Sequence, residues 1–159
     1  MRNVSSNLCA DMVGITFRRA TVGDIEGMSR VRMAVLENRL SDPALVTPAM
    51  YSEMLQEKGA GWVCEAAGEV VGFAIVDISL SNVWALFVDP LFENKGIGRQ
   101  LHNLMVTWSF AAGQSKLWLS TDPGTRAEAF YRKVGWVETG IEQNGEIRFE
   151  LNKPNSTIH

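Results

Sequence analysis

The order of hydrophobic patterns along the chain predicts the order of its elements. Short apolar or alternating runs predict strands at residues 15–19, 62–67, 70–80, 83–88, 116–121, 136–139 and 146–151. Apolar residues at helical spacing predict helices that begin near residues 25, 48, 97 and 126. This order, β-α-α-β-β-β-α-β-α-β-β, predicts an α/β (α+β) sandwich in which a mixed, mostly antiparallel sheet carries helices on both faces.

Local capping signals indicate where the second helix begins and ends. The pair Thr47-Pro48 places a capping hydroxyl before proline, which is favoured at the first helical position. Gly59 and Gly61 are expected to end that helix, because glycine commonly follows a helix C-terminus. The first helix is expected to end between residues 37 and 40, and an Asn-Gly pair at 144–145 is expected to turn the closing hairpin.

Composition and charge restrict the classes of protein and partner. The 159 residues are 46% hydrophobic and 21% charged, which is typical of a globular domain; we expect one domain at residues 14–153 with flexible termini at 1–13 and 154–159. A net charge of −3 without charged blocks gives no basic surface for nucleic acid, and no apolar segment is long enough to span a membrane. The cysteines and histidines lack metal-ligand spacing, so no metal is expected. Few cysteines and no export signal favour the cytoplasm.

The segment from residue 83 to residue 101 carries the most chemical information. A buried-type strand ends before Pro90, and a polar loop then leads into Lys95-Gly96-Ile97-Gly98-Arg99 at the start of a helix. Glycines at a helix start let backbone N–H groups approach a ligand, which favours phosphate or pyrophosphate. The dinucleotide fingerprint needs a third glycine where Leu101 stands, and the triphosphate loop needs a Gly-Lys-Ser/Thr sequence that is absent.

This loop resembles the acyl-CoA pyrophosphate loop of the GNAT superfamily of N-acetyltransferases. The family pattern is Gln/Arg-x-x-Gly-x-Gly/Ala, and Gly96 and Gly98 match its last two elements. Glu93 occupies the first position and is a departure that places a negative charge near a polyanion. The predicted element order also matches that family, so the resemblance covers roughly residues 15–151.

A second segment resembles the same family more specifically. Ala127, Phe130, Tyr131, Gly135 and Trp136 match its Ala-x-x-Leu/Phe-Tyr-x-x-x-Gly-Phe segment, with tryptophan in place of the final phenylalanine. The loop before this segment departs from the family, which often has asparagine at the position of residue 124, a glycine here.

The resemblance implies how acetyl-CoA would bind as the co-substrate. The pyrophosphate would lie on the loop, and the pantetheine arm would pair with the strand backbone, which the family frees with a bulge. The residues implied in cofactor binding are Leu86, Phe87, Val88, Lys95, Gly96, Ile97, Gly98 and Arg99. A fully paired strand with no such bulge is the alternative.

The resemblance also implies a catalytic role for Tyr131, as the general acid that protonates the departing thiolate. A phenol with a pKa of ~10 can supply a proton to a thiol with a pKa of ~8.5. The helical spacing by itself is equally consistent with a packed core tyrosine, because Tyr131 lies on the apolar face between Ala127 and Val134.

The acceptor amine must lose a proton before it can attack, and the residue that takes this proton is less evident. The early part of the central strand holds Trp84 and no carboxylate, whereas several family members have a glutamate there. Glu37 is the first candidate base because it lies at the end of the first helix, where the family forms its acceptor site; deprotonation through water is the alternative. Arg32, Asn38, Trp84 and Ser120 are the candidate substrate-binding residues.

The sequence is consistent with three functions, and the first is preferred. The first is an acetyl-CoA-dependent N-acetyltransferase acting by direct attack of an amine of a small molecule or peptide, with a homodimer as one possible assembly. The second is a non-catalytic acyl-CoA-binding sensor or regulatory module. The third is another kind of nucleotide-binding domain, which the missing third glycine and the missing Gly-Lys-Ser/Thr sequence oppose.

Overall fold

The computed structural model describes residues 14–36 and 46–154, and these form seven strands and four helices. The strands are β1 Ile15–Arg19, β2 Gly59–Ala66, β3 Glu69–Asp77, β4 Asn82–Val88, β5 Lys116–Thr121, β6 Val137–Ile141 and β7 Ile147–Asn152. The helices are α1 Ile25–Leu36, α2 Pro48–Glu53 with a π-helical turn at Met54–Lys58, α3 Ile97–Ala111 and α4 Arg126–Lys133. The predicted order of elements is confirmed.

All seven strands form one sheet in the order β1-β2-β3-β4-β5-β7-β6. Every neighbouring pair is antiparallel except β4 and β5, which are parallel. One hydrophobic cluster packs α3 and α4 on the sheet through residues such as Leu101 and Tyr131, and another packs α1 and α2 through Met28 and Tyr51. The predicted mixed α/β fold, with a mostly antiparallel sheet and helices on both faces, is therefore confirmed.

The boundaries of β2 differ from the prediction, because its glycines serve sheet packing. The strand begins at Gly59, three residues before the predicted start, immediately after the π-helical turn. A Cβ at Gly59 would lie 1.7 Å from the carbonyl oxygen of Val76, and one at Gly61 would lie 2.7 Å from Leu55. Gly59 ends the helical segment as predicted, as the C-cap of the π-helical turn, and both glycines also allow β2 to approach its neighbours closely.

The β3 strand is shorter than predicted. It ends at Asp77, whose Oδ1 accepts hydrogen bonds from the backbone N–H groups of Ser79 (2.9 Å) and Leu80 (3.3 Å). An aspartate that bonds the backbone two residues later closes a turn, so the chain reverses before Leu80.

Candidate active site

The central feature of the site is a split between β4 and β5. These strands are paired only at Asn82 and Trp118, where the Asn82 amide donates to the Trp118 carbonyl at 3.2 Å. Beyond this pair the backbone from Leu86 to Val88 is paired with β3 and has no strand partner on the β5 side among the described residues. The alternative of a fully paired central strand is therefore wrong.

A β-bulge at Trp84 accompanies this split. On β3 the neighbours Ile75 and Val76 pair with Ala85 and Val83, so Trp84 is the extra residue on β4. Both Trp84 and Ala85 pack on the α1–α2 side of the sheet, which reverses the alternation of side chains for the rest of the strand. Bulges increase local twist and bend a strand, and this one lies where β4 leaves β5.

A cleft of about 550 Å³ lies between β4, the start of α3 and one face of α4. Leu86 and Val88 form the β4 wall, and Phe130, Tyr131 and Val134 form the α4 wall. The residues of the connecting loop and the α3 start that line it are Phe92, Glu93, Asn94, Gly96, Ile97, Gly98 and Arg99. Lys95 is exposed and does not line the cleft.

The start of α3 presents unused backbone N–H groups to the cleft. The first helical hydrogen bond runs from Gln100 N–H to the Gly96 carbonyl at 3.1 Å, so the three preceding N–H groups have no partner within the helix. Gly96 is the N-cap with φ of +82°, a conformation that favours glycine. Gly98 has room for a methyl group, since a Cβ there would meet only Val88 at 3.5 Å. The site is thus suited to an anion.

Glu93, which departs from the family's loop pattern, forms an ion pair across the mouth of the cleft. Its Oε1 lies 3.0 Å from Nη1 of Arg126, and Nη2 of the same arginine donates to Asn94 Oδ1 at 3.2 Å. The negative charge of Glu93 is thereby balanced beside the helix terminus. Arg126 is not predictable from local sequence, because 33 positions separate it from Glu93 and no local pattern links them.

Gly124, the second position at which the sequence departs from the family pattern, shapes the start of α4. Gly124 has φ of +76°, and its N–H donates to Glu128 Oε1 at 2.7 Å. The hydroxyl of Thr125 accepts from the N–H of Glu128 and caps the helix. This backbone conformation favours glycine, and the hydrogen bond to Glu128 holds the loop without an asparagine side chain.

Tyr131 is both a packed residue and a wall of the cleft. It is 7% exposed, and its ring packs edge-on against Phe130 (5.2 Å between centroids) and Trp136 (5.5 Å). Burial raises the pKa of its phenol above the ordinary value, so the group keeps its proton at neutral pH. Packing in the core and donating a proton are therefore compatible roles for Tyr131.

A buried hydrogen bond holds the tryptophan that supports Tyr131. Trp136 Nε1 donates to His102 Nε2 at 2.9 Å, and His102 Nδ1 lies 2.9 Å from Asn103 Oδ1. A ring nitrogen that accepts from an indole is unprotonated, and burial lowers the pKa of His102 accordingly. The imidazole is therefore neutral and positions the indole.

The candidate acceptor residues lie on the opposite face of the sheet. The Arg32 guanidinium lies 5.2 Å from the Phe87 ring centroid, and Trp84 packs edge-on against Tyr51 at 5.3 Å. Ser120 Oγ donates to Glu142 Oε2 at 3.0 Å. Glu37 and Asn38, the other candidates, lie outside the described residues.

The described residues contain neither a metal-binding cluster nor a membrane-spanning helix. Within residues 14–36 and 46–154, no group of three or more His, Cys, Asp or Glu side chains could hold a metal ion. None of the helices in these ranges is long and apolar enough to cross a bilayer.

Comparison with known proteins identifies the family. The model of the acetyltransferase (GNAT) family matches residues 30–136. The chain therefore belongs to the GNAT acetyltransferase family. An uncharacterised N-acetyltransferase of Methanocaldococcus jannaschii is 28% identical over 99 residues, which are 55% of this chain and 43% of that protein. The chain thus matches less than half the length of that relative.

Solved structures share the fold at low sequence identity. The PaiA N-acetyltransferase of Thermoplasma acidophilum, crystallised with coenzyme A, has a TM-score of 0.76 at 14% identity over 87% of this chain and 99% of its own. The ribosomal-protein-S18-alanine N-acetyltransferase of Escherichia coli has a TM-score of 0.71 at 18% identity over 91% and 99%. These similarities extend to nearly the whole fold.

Proposed function

We propose that this protein transfers an acetyl group from acetyl-CoA to an amine of a small molecule or peptide by direct attack. The observation that carries the proposal is that unpaired β4 backbone, unused helix N–H groups and a buried tyrosine all border one cleft. A relative with the same fold was crystallised with coenzyme A. The cytoplasmic location and a homodimer stay predictions.

Each part of the cofactor has a chemically matched part of the cleft. The pyrophosphate would accept hydrogen bonds from the backbone at Gly96, Ile97, Gly98 and Arg99, where the positive end of α3 favours anions. The pantetheine amides would pair with the backbone of Leu86–Val88 like an added strand. The thioester would then lie where the strands separate, near Tyr131.

Departure of the CoA thiolate requires a proton donor near the sulfur. A buried phenolate is costly, so Tyr131 acts first as a hydrogen-bond donor to the sulfur and gives up its proton only as thiolate charge develops. The hydrogen bond from Trp136 to His102 fixes the indole that packs against Tyr131, and the tyrosine ring is thereby held in place to donate its proton.

Acetyl-CoA binding is the first test. Acetyl-CoA at ~100 times its Kd stabilises a protein by ~2.7 kcal/mol, which should raise the Tm by several degrees, whereas ATP and NAD should leave it unchanged. A rise with ATP or NAD alone, or with none of the three, would contradict the proposal. Binding without thiol release in the presence of any amine would instead favour the non-catalytic acyl-CoA module.

A further inference from the structure

A carboxylate reaches the acceptor face of the split from the β6–β7 turn. The first part of β4 supplies none, and the hydroxyl of Ser120 on β5 donates to Glu142 Oε2 at 3.0 Å. The two residues are 22 positions apart, so only the fold brings them together. Their hydrogen bond places a carboxylate next to β5, whereas the first part of β4 has none.

Ser120 lies at the edge of the split. It is two residues beyond Trp118, the last residue of β5 that is paired with β4. The side chains of Leu117 and Leu119 belong to the core beneath α3 and α4, so the alternation of β5 places Ser120 on the other face. Trp84 packs on that same face from β4. A group entering from this face thus meets Ser120 beside the opened strands, with Tyr131 on the far side.

Glu142 is held in position but stays accessible. The turn is closed by hydrogen bonds from Glu142 N–H to the Glu146 carbonyl (2.7 Å) and from Gly145 N–H to the Glu142 carbonyl (2.9 Å). The Glu142 side chain is 38% exposed, and Arg148 Nη1 on β7 lies 3.9 Å from its Oε2. That arginine also stacks on Trp118 at 4.2 Å and pairs with Glu150 at 3.2 Å. The charged group beside the Glu142 carboxylate is thus Arg148, which also pairs with Glu150, and Glu146 follows on the other side of the turn.

We propose that Ser120 and Glu142 form a relay that binds the acceptor as an ammonium ion and removes one proton from it. This inference rests on the proposed acetyltransferase function. The substrate class that follows is an aliphatic primary amine, which is protonated at neutral pH, rather than an aromatic amine, which is not. Ser120 contacts the substrate, and Glu142 acts through it as a positioning residue that receives the proton.

The proton balance of the reaction is complete. The ammonium gives one proton to the Ser120 hydroxyl, which passes its own proton to the Glu142 carboxylate. The freed nitrogen lone pair attacks the thioester carbonyl, a C–N bond forms, and the C–S bond breaks. The sulfur takes the Tyr131 proton, and the second nitrogen proton restores that phenol. Glu142 returns its proton to water, so an ammonium and acetyl-CoA yield an amide, a thiol and one proton.

Two probe amines of similar size test the relay. Thiol release from acetyl-CoA is measured with benzylamine, an ammonium ion at pH 7, and with aniline, which is neutral. Glu142→Gln should lower kcat/KM for benzylamine about 100-fold and leave aniline within about twofold, because only the former needs deprotonation. Ser120→Ala should show the same selectivity. Glu146→Gln removes the same charge from the same turn without touching Ser120, and is the matched control.

The pH profile separates the relay from a structural effect. In the wild-type protein kcat/KM for benzylamine should change little between a pH of about 6 and about 8, where this amine is an ammonium ion. In Glu142→Gln it should rise about tenfold per pH unit, as it follows the fraction of free amine. Equal profiles, or equal losses for both amines, would overturn the relay. Acetyl-CoA binding measured on the same samples keeps this failure distinct from that of the proposed function, since intact binding with turnover leaves the latter standing.

Discussion

At the scale of single residues, the site depends on side chains whose surroundings fix their protonation. Tyr131 is surrounded by Phe130, Trp136 and Phe149, and burial keeps its phenol protonated. His102 accepts from Trp136 in its neutral form, and burial favours that form by lowering its pKa. Helical spacing predicted the buried ring of Tyr131. The hydrogen bond to His102 spans 34 positions and depends on tertiary packing, so no local pattern predicted it.

Replacing Tyr131 with phenylalanine tests its hydroxyl without disturbing its ring. We expect kcat to fall about 100-fold with acetyl-CoA affinity within about twofold, because proton donation is lost while the packing is kept. Because burial raises the phenol pKa, the wild-type rate should show no loss from tyrosine ionisation below a pH of about 10. Steady-state kinetics and calorimetric binding measure both quantities.

Tyr51→Phe is the matched control for this substitution. It removes a hydroxyl from another buried tyrosine, on the α1–α2 side of the sheet, and should leave kcat within about twofold. An equal loss in both variants, or no loss in Tyr131→Phe, would assign Tyr131 to packing alone.

At the scale of elements, hydrophobic periodicity predicted which strands and helices exist, but their pairing came from the fold. The predicted strand at residues 83–88 carries its bulge at Trp84, and only the β3 register reveals it. The loop charge at Glu93 is balanced by Arg126 of α4, a partner that the glycine pattern does not contain. Sequence signals thus located the α3 start correctly, while its electrostatic surroundings depended on long-range contacts.

Substituting Gly98 with glutamate separates ligand binding from fold. The fold has room for a side chain here, since a Cβ would meet only Val88 at 3.5 Å, and a negative charge in the first turn of a helix interacts favourably with the helix dipole. The carboxylate would instead occupy the pyrophosphate site and repel the ligand. We therefore expect a Tm that is unchanged or higher together with an acetyl-CoA Kd raised about 100-fold, measured by thermal unfolding and calorimetry.

Gly23→Glu is the matched control, since it adds the same side chain to a helical turn outside the cleft. Its Kd should equal that of the wild-type protein. An unchanged Kd in Gly98→Glu would place the pyrophosphate elsewhere.

At the scale of the whole molecule, the sheet consists of two parts, β1–β4 and β5-β7-β6, which are joined at a single strand pair. Helices α3 and α4 cover both parts on one face. The sequence predicted the fold class because element order restricts the topology strongly. The split was not predictable from periodicity, because each strand separately has the pattern of a buried strand.

A cofactor that pairs with β4 would act as a bridge between the two parts of the sheet. Hydrogen exchange measured by mass spectrometry should therefore slow in peptides covering β4 and the α3 start when acetyl-CoA binds, because their backbone N–H groups gain partners. Peptides covering β1 should change far less, because β2 and β3 separate this edge strand from β4, and they serve as the internal reference. Coenzyme A without the acetyl group should give the same pattern, since the pyrophosphate and pantetheine make these contacts. Protection spread evenly over β1 and β4 would indicate only global stabilisation, and protection confined to other strands would contradict the placement of the cofactor in the split.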